Sequence, residues 1–254
     1  MEGMTGIMET ITRKSLLYKS GVGVFCINHV QGCSHGCRYP CYAYMMAQSY
    51  RRVATYTDWC QPKLVANAAE LLSKELAHKK SMPDSIHLCL STDPFMKGYP
   101  EVTDLSLKLM AIINSYGIRC SVLTKGKLPS ELADRKHFSA NNLYGISLIS
   151  LNEDFRNLWE PGAITYAERI NALKYLHDNG LQTLAHIEPY PTPNLAKQNI
   201  EDILDAIGFV DHLYFSGWNY NDQVRQYQNY QQFYREQDAL AQLFCKERGI
   251  YYNS

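Results

Sequence analysis

Apolar positions along this chain alternate between two periods. Short runs rich in β-branched and aromatic residues read as strands: Val22–Asn28 (V-G-V-F-C-I-N), Ser85–Leu90, Arg119–Leu123, Tyr144–Leu148, Gln182–Ile187 and His212–Phe215. Between them lie stretches with helical spacing. The clearest is Lys63–His78, where Leu64, Ala68, Leu71, Leu72 and Leu76 recur on one face and Pro62 stands just before the start. Further helices are predicted over Cys41–Arg52, over Asp104–Tyr116 with Thr103 as N-cap and Gly117 as stop, and over Thr165–Asp178, closed by Asn179-Gly180. A short helix is expected at Ser130–Arg135, another at Leu195–Ile207, and a long polar one at Asp222–Glu247.

Six strands, each followed by a helix, imply an α/β fold with a parallel sheet and helices outside it. Six βα units fall short of a closed eightfold barrel, so the expectation is a partial, open TIM-type barrel. The organisation predicted is a lead-in over 1–20, a barrel core over 21–220 and a C-terminal helical segment over 221–254 that packs on or closes the barrel. In such folds chemistry sits at the C-terminal ends of the strands. The polar motifs fall there: Asn28, Ser91-Thr92-Asp93-Pro94, Thr124-Lys125-Gly126, the Ser147–Ser150 segment, His186-Ile187-Glu188-Pro189 and Ser216-Gly217.

Composition narrows the function classes. The chain has 254 residues, 46% of them hydrophobic, with a formal net charge of zero. That balance disfavours a dedicated duplex-DNA binder, whose affinity rests on a basic face. No run approaches the roughly 18 apolar residues of a membrane span, and Met1–Ser20 lacks an apolar core of signal-peptide length. Eight cysteines without such a signal point away from a secreted disulfide scaffold and toward a reducing cytoplasm.

The chemistry concentrates in Gln31–Tyr44, Q-G-C-S-H-G-C-R-Y-P-C-Y-A-Y, where Cys33, Cys37 and Cys41 stand four residues apart. Iron–sulfur clusters are normally held by four cysteine thiolates. Three close thiolates with no obvious fourth suit a cluster with one iron left open to a ligand, the construction of a radical S-adenosylmethionine (SAM) enzyme. The alternative is a non-catalytic iron–sulfur or zinc protein that senses metal or redox state or binds nucleic acid, the zinc form being a structural Cys₃His site with His29 or His35 as fourth ligand. Structural zinc sites usually pair their ligands and need a second pair downstream; none is visible here.

The loop G-C-S-H-G-C-R-Y-P-C-Y-A resembles that of the radical SAM superfamily, and specifically relatives of spore photoproduct lyase, with Asn28, Gly32, His35 and Tyr42 matching an N-x₃-G-C-x-H-G-C-x-Y-C-Y-A pattern. Four further stretches are similar and in the same order: Lys63–Leu76, Ser91–Phe95, Leu123–Gly126, and W-E-P-G-A from Trp159 onward. The family spacing is C-x₃-C-x₂-C; this chain has C-x₃-C-x₃-C, with Pro40 as the added residue.

The resemblance implies that Cys33, Cys37 and Cys41 hold a [4Fe–4S] cluster whose open iron is chelated by SAM. Reductive cleavage would then yield a 5′-deoxyadenosyl radical that abstracts hydrogen from a substrate. An electron donor such as flavodoxin or ferredoxin is implied; the substrate class, whether nucleic acid, peptide or small molecule, is left open. Ser91, Thr92 and Asp93 are expected to meet the SAM amino group or ribose, Lys125 its carboxylate, and Tyr42 its flank. Ser147 and Glu188 are expected at the same mouth.

Cys89 sits one residue too early to match the family's cysteine hydrogen donor. In a strand that shift turns a side chain to the opposite face, so Leu90 is the direct equivalent and Cys89 is expected in the core. Arg225, Tyr227, Tyr230, Tyr234 and Arg235 could stack on bases. Asp222, Glu236 and Asp238 dilute that charge, and a helix covering the barrel is the favoured reading.

Overall fold

A computed structural model describes residues 8–254; residues 1–7 of the expected lead-in lie outside the described residues. The chain opens with four short strands, β1 (Thr10–Ile11), β2 (Leu17–Lys19), β3 (Phe25–Ile27) and β4 (Val30–Gln31). The cysteine loop leads into helices α1 (Tyr42–Ser49) and α2 (Tyr56–Trp59), strand β5 (Lys63–Val65) and helix α3 (Ala68–Ala77). Alternation then follows through β6 (Ser85–Leu88), α4 (Pro100–Ser115), β7 (Arg119–Thr124), a 3-10 turn (Ser130–Ala133) and β8 (Leu143–Ser147). Helices α5 (Glu153–Trp159) and α6 (Tyr166–Asp178) precede β9 (Gln182–Tyr190), α7 (Ile200–Ala206) and β10 (His212–Gly217). The chain closes with α8 (Asp222–Arg225), α9 (Tyr230–Arg248) and β11 (Tyr251–Asn253).

All six anticipated strands pair in one sheet of order β11-β10-β9-β8-β7-β6-β3-β2. The pairs from β3 to β11 are parallel, and β2 is an antiparallel edge on β3. Its two ends do not meet, so the barrel is open. Burial alternates along β7 and β9. Val122, Ala185 and Ile187 face outward against the helices and are fully buried, packed with Leu109, Ile113, Leu173 and Leu176. Leu123 and His186 point the other way, into the interior, and are only half-buried.

Several elements differ from their sequence reading, each through a tertiary partner. The expected helix Lys63–His78 starts as β5, because Leu64 and Val65 donate to Glu9 and His29 carbonyls at 2.9 Å in a small sheet β1-β5-β4. Helix α4 starts at Pro100 rather than after Thr103, with proline at the first helical position where its missing N–H costs nothing. Helix α7 begins only at Ile200, where Asn199 caps it by accepting from Glu201 N. The expected single helix Asp222–Glu247 breaks in two at Asn229, which adopts φ 58°. Helices α2 and α5 and strands β1, β2, β4 and β11 have no expected counterpart; β11 extends the sheet through β10.

The C-terminal helix is integrated into the barrel. Tyr234 accepts from Trp218 N at 3.0 Å and donates to the Tyr190 carbonyl at 3.0 Å, and its ring fills the space beside Gly217.

Candidate functional site

At the C-terminal ends of the strands lies a cavity of about 450 Å³. Every residue anticipated for the site lines it: Cys33, Cys37 and Cys41 from the loop after β4, Tyr42 from α1, Ser91, Thr92 and Asp93 after β6, Lys125 after β7, Ser147 at the end of β8 and Glu188 on β9. The parallel strands β6 to β9 open their C-terminal ends on one side of the sheet, and the cysteine loop, which follows β4 of the small sheet, meets them there.

The cysteine loop is held on three sides. At its start, Gly32 adopts φ +90° and Cys33 N donates to Trp59 O at 2.8 Å. In its middle, Arg38 N donates to Trp159 O at 2.9 Å and Gly162 N donates to His35 O at 2.8 Å. At its end, Cys41 is the N-cap residue of α1, so the third thiol sits at the positive end of a helix. The W-E-P-G-A stretch is therefore the cradle of the loop. The added residue is absorbed at the surface: Arg38 and Pro40 are exposed, while Tyr39 between them turns inward.

Asp93 is the latch between loop and barrel. Thr124 Oγ1 and Phe95 N donate to its Oδ1 at 2.7 and 2.8 Å, and Lys125 N donates to its Oδ2 at 2.8 Å. His35 Nε2 stands 2.8 Å from the same Oδ2. Burial alone would push this carboxyl up; the facing His35 and the donors of Thr124 and Lys125 outweigh it and hold it below the usual range. Asp93 lines the cavity as expected, and both of its oxygens also accept from or face protein groups. Gly126 follows Lys125 where a Cβ would lie 1.7 Å from Phe95 O, so the S-T-D-P-F and L-T-K-G stretches meet backbone to backbone.

A second buried polar group was not anticipated. Glu160 is fully buried; Tyr39 OH donates to Oε1 at 3.0 Å, Arg169 Nη2 donates to Oε2 at 2.7 Å, and Lys125 Nζ lies 3.4 Å from Oε1. Arg169, also fully buried, further donates to Ser147 O at 2.8 Å. Burial raises the Glu160 carboxyl, yet Lys125 and Arg169 bring it below its ordinary value. Lys125 Nζ also donates to Ser147 Oγ at 2.6 Å, and Ser147 Oγ donates to Glu188 O at 3.3 Å. A signal for Arg169 existed: it falls on the apolar face of α6 with Tyr166, Leu173 and Leu176, where an arginine demands a buried partner.

The remaining wall carries His186, from the strand-end motif already noted, and three residues that sequence reasoning missed: Trp218, Asn219 and Tyr220. His186 stacks on Tyr214 at 4.4 Å and lies 3.6 Å from Glu188 Oε2. Burial pushes its imidazole down to about 3, so it is neutral, and burial raises the Glu188 carboxyl. The Trp218 indole N–H is buried without a hydrogen-bond partner among the described residues. Tyr42 is half-exposed at the rim, its hydroxyl donating to Leu90 O at 2.9 Å.

Of the histidines considered as zinc ligands, His29 Nε2 is 2.7 Å from Ser106 Oγ, and His35 Nε2 lies 2.8 Å from Asp93 Oδ2. Among the described residues no three His, Cys, Asp or Glu side chains converge on one ion. The thiols instead ring a cavity, with burial pushing Cys37 up to about 12, a proton that a metal must displace. The donor set, three thiols beside one ammonium and neutral hydroxyls, fits a cluster larger than a single ion together with an anionic ligand group. Cys89 is buried, as expected, with Val30, Met96 and Val102, while Leu90 lines the cavity.

Comparison with known proteins gives a consistent picture. The family profile described as the Radical SAM superfamily matches residues 27–210. An uncharacterised protein of Methanocaldococcus jannaschii is 27% identical over 198 residues, 77% of this chain and 70% of the relative. A spore photoproduct lyase variant superposes with a TM-score of 0.69 at 14% identity, covering 95% of this chain and 80% of that one. A spore photoproduct lyase complexed with dinucleoside spore photoproduct gives 0.61 at 18%, covering 80% and 59%. A radical S-adenosylmethionine methyltransferase from Kitasatospora setae, with tryptophan substrate and a SAM analogue bound, gives 0.50 at 13%, covering 75% and 35%. At these identities the structural likeness is one of fold. The chain spans 59% of the substrate-bound lyase.

Proposed function

The chain belongs to the radical SAM superfamily, and on that premise we propose that it cleaves SAM reductively at a [4Fe–4S] cluster held by Cys33, Cys37 and Cys41. The observation that carries this reading is the convergence of those three thiols with Lys125 and Ser147 on one cavity. When bound, the cluster and SAM supply one-electron chemistry and a 5′-deoxyadenosyl radical.

The protein's own residues do the rest. Lys125 offers a point charge on a flexible stem to the SAM carboxylate. Ser91, Thr92 and Tyr42 provide short or planar contacts along the ligand's flank. Asp93 acts one step removed, holding His35 and the Lys125 backbone in register. Glu188, with neutral His186 and Asn219, forms the wall left for substrate. The enclosing barrel keeps water from a reactive radical. A spore photoproduct lyase-like hydrogen abstraction is the finer reading. With Leu90, not a cysteine, on the cavity wall, thymine-dimer repair itself is disfavoured. A flavodoxin or ferredoxin as reductant and a cytoplasmic setting complete the proposal; no helix among the described residues is long and apolar enough to cross a membrane.

The test is anaerobic reconstitution with iron and sulfide, followed by EPR of the reduced protein with and without SAM. A [4Fe–4S]⁺ signal that shifts with SAM, and 5′-deoxyadenosine on turnover, are expected. A protein that retains zinc, or a cluster indifferent to SAM, overturns the reading.

A further inference from the structure

Three buried or half-buried charges lie in a row at the cavity wall. Arg169 and Glu160 are fully shielded, and Lys125 reaches the cavity. Glu160 Oε2 is taken by Arg169, and Oε1 is shared by Tyr39 OH at 3.0 Å and Lys125 Nζ at 3.4 Å. Two cations against one carboxylate leave one net positive charge, and it faces the cavity through the Lys125 ammonium. Tyr39 is two residues from Cys37 and two from Cys41, so the same carboxylate that fixes the lysine also holds the cysteine loop.

We propose that Glu160 is a positioning residue: it sets the Lys125 ammonium relative to the cysteine loop, and so sets the affinity for the carboxylate of SAM. This rests on the radical SAM reading. The geometry supports it because a lysine stem is flexible, and a single partner, Ser147 Oγ, would leave the ammonium free to swing about that one contact. Glu160 Oε1 at 3.4 Å is the second partner, and it fixes Nζ between itself and Ser147 Oγ at 2.6 Å. A purely structural role, neutralising Arg169 so that α6 can pack, would involve neither Lys125 nor Tyr39.

The experiment is a double-mutant cycle on the reconstituted protein, with SAM affinity read by EPR titration and by calorimetry. Glu160→Gln keeps the shape and the Tyr39 contact but removes the charge. It is expected to retain the iron of the wild type and to weaken SAM binding roughly tenfold, the scale of losing a charge-assisted contact. In a Lys125→Met background, titrated to saturation, the same substitution is expected to change SAM affinity little, because the group it positions is gone. Equal losses in both backgrounds, or no loss in either, overturn the proposal. Should thermal melts show that Glu160→Gln is unfolded, Tyr39→Phe takes its place. It strips one donor from the carboxylate and leaves the buried charges, and the same background dependence is expected; equal effects again overturn it. If the wild-type cluster itself ignores SAM, the radical SAM reading fails and this inference falls with it.

Discussion

Gly162 lies against the cysteine loop so closely that a Cβ built on it would stand 2.2 Å from Ser34 O and 2.9 Å from His35 Cα. Both neighbours are backbone, so neither can swing aside. Gly162→Ala must therefore lift the loop off its cradle, breaking the Gly162 N to His35 O bond of 2.8 Å. We expect a loss of about 1–3 kcal/mol in stability and a clear fall in iron bound after reconstitution. Wild-type iron content in the variant would show that the loop does not depend on this contact.

The eight cysteines divide by position. Cys37→Ala should abolish the cluster's visible absorption. Cys60→Ala and Cys89→Ala should retain it, because neither lines the cavity: Cys60 packs with Trp59 and Tyr56, and Cys89 Sγ lies 3.5 Å from His29 Nδ1. Iron and sulfide assays on the three variants decide this. Loss of the cluster in Cys60→Ala or Cys89→Ala would place a ligand outside the triplet.

Ser147 accepts the shortest bond that Lys125 makes, at 2.6 Å. Ser147→Ala removes that acceptor while sparing the backbone carbonyl on which Arg169 rests. The SAM dissociation constant should rise roughly tenfold or more, since one hydrogen bond to a charged group contributes about 1.5 kcal/mol or more, with iron content unchanged. Superimposable titrations of variant and wild type would remove Ser147 from the binding site.

Acid should weaken the fold before the carboxylates titrate. Burial pushes His29 and His186 down to about 3 and His87 to about 4. Each stays neutral in the folded chain but takes up a proton near 6.5 when unfolded. Their contribution is thus full above about pH 6.5 and declines as pH falls toward the folded values, by up to ~1.4 kcal/mol per pH unit for each group. Thermal or urea melts between pH 7.5 and about 5 should show this slope, and His87→Gln should reduce it. An unchanged slope in that variant would mean that His87 is protonated in the fold.

Much of this architecture was legible along the chain. The six core strands follow from short apolar runs, whose backbones can be satisfied only in a sheet, and all six pair in parallel. The helix Thr165–Asp178 carries its own start signal, and the Thr165–Glu168 capping box realises it. Where partners are remote, the reading erred. Lys63–Val65 has a helical pattern yet pairs with β1 and β4, and Asn229 breaks a long amphipathic stretch so that Tyr234 can meet Tyr190 and Trp218.

By itself the sequence determined which residues meet at the strand ends, because three thiols at close spacing in a polar loop are a local property, and so are polar motifs at strand ends. Only the tertiary structure decided how they are held. Asp93 looked free to meet a ligand until Thr124, Lys125, Phe95 and His35 closed around it. Glu160 stood in the W-E-P-G-A stretch, but nothing local named its partners, since the buried charges that surround it, Arg169 and Lys125, come from different elements of the barrel. Electrostatic pairing in a low-dielectric interior depends on distance in space, and distance in space is what a linear pattern leaves unstated.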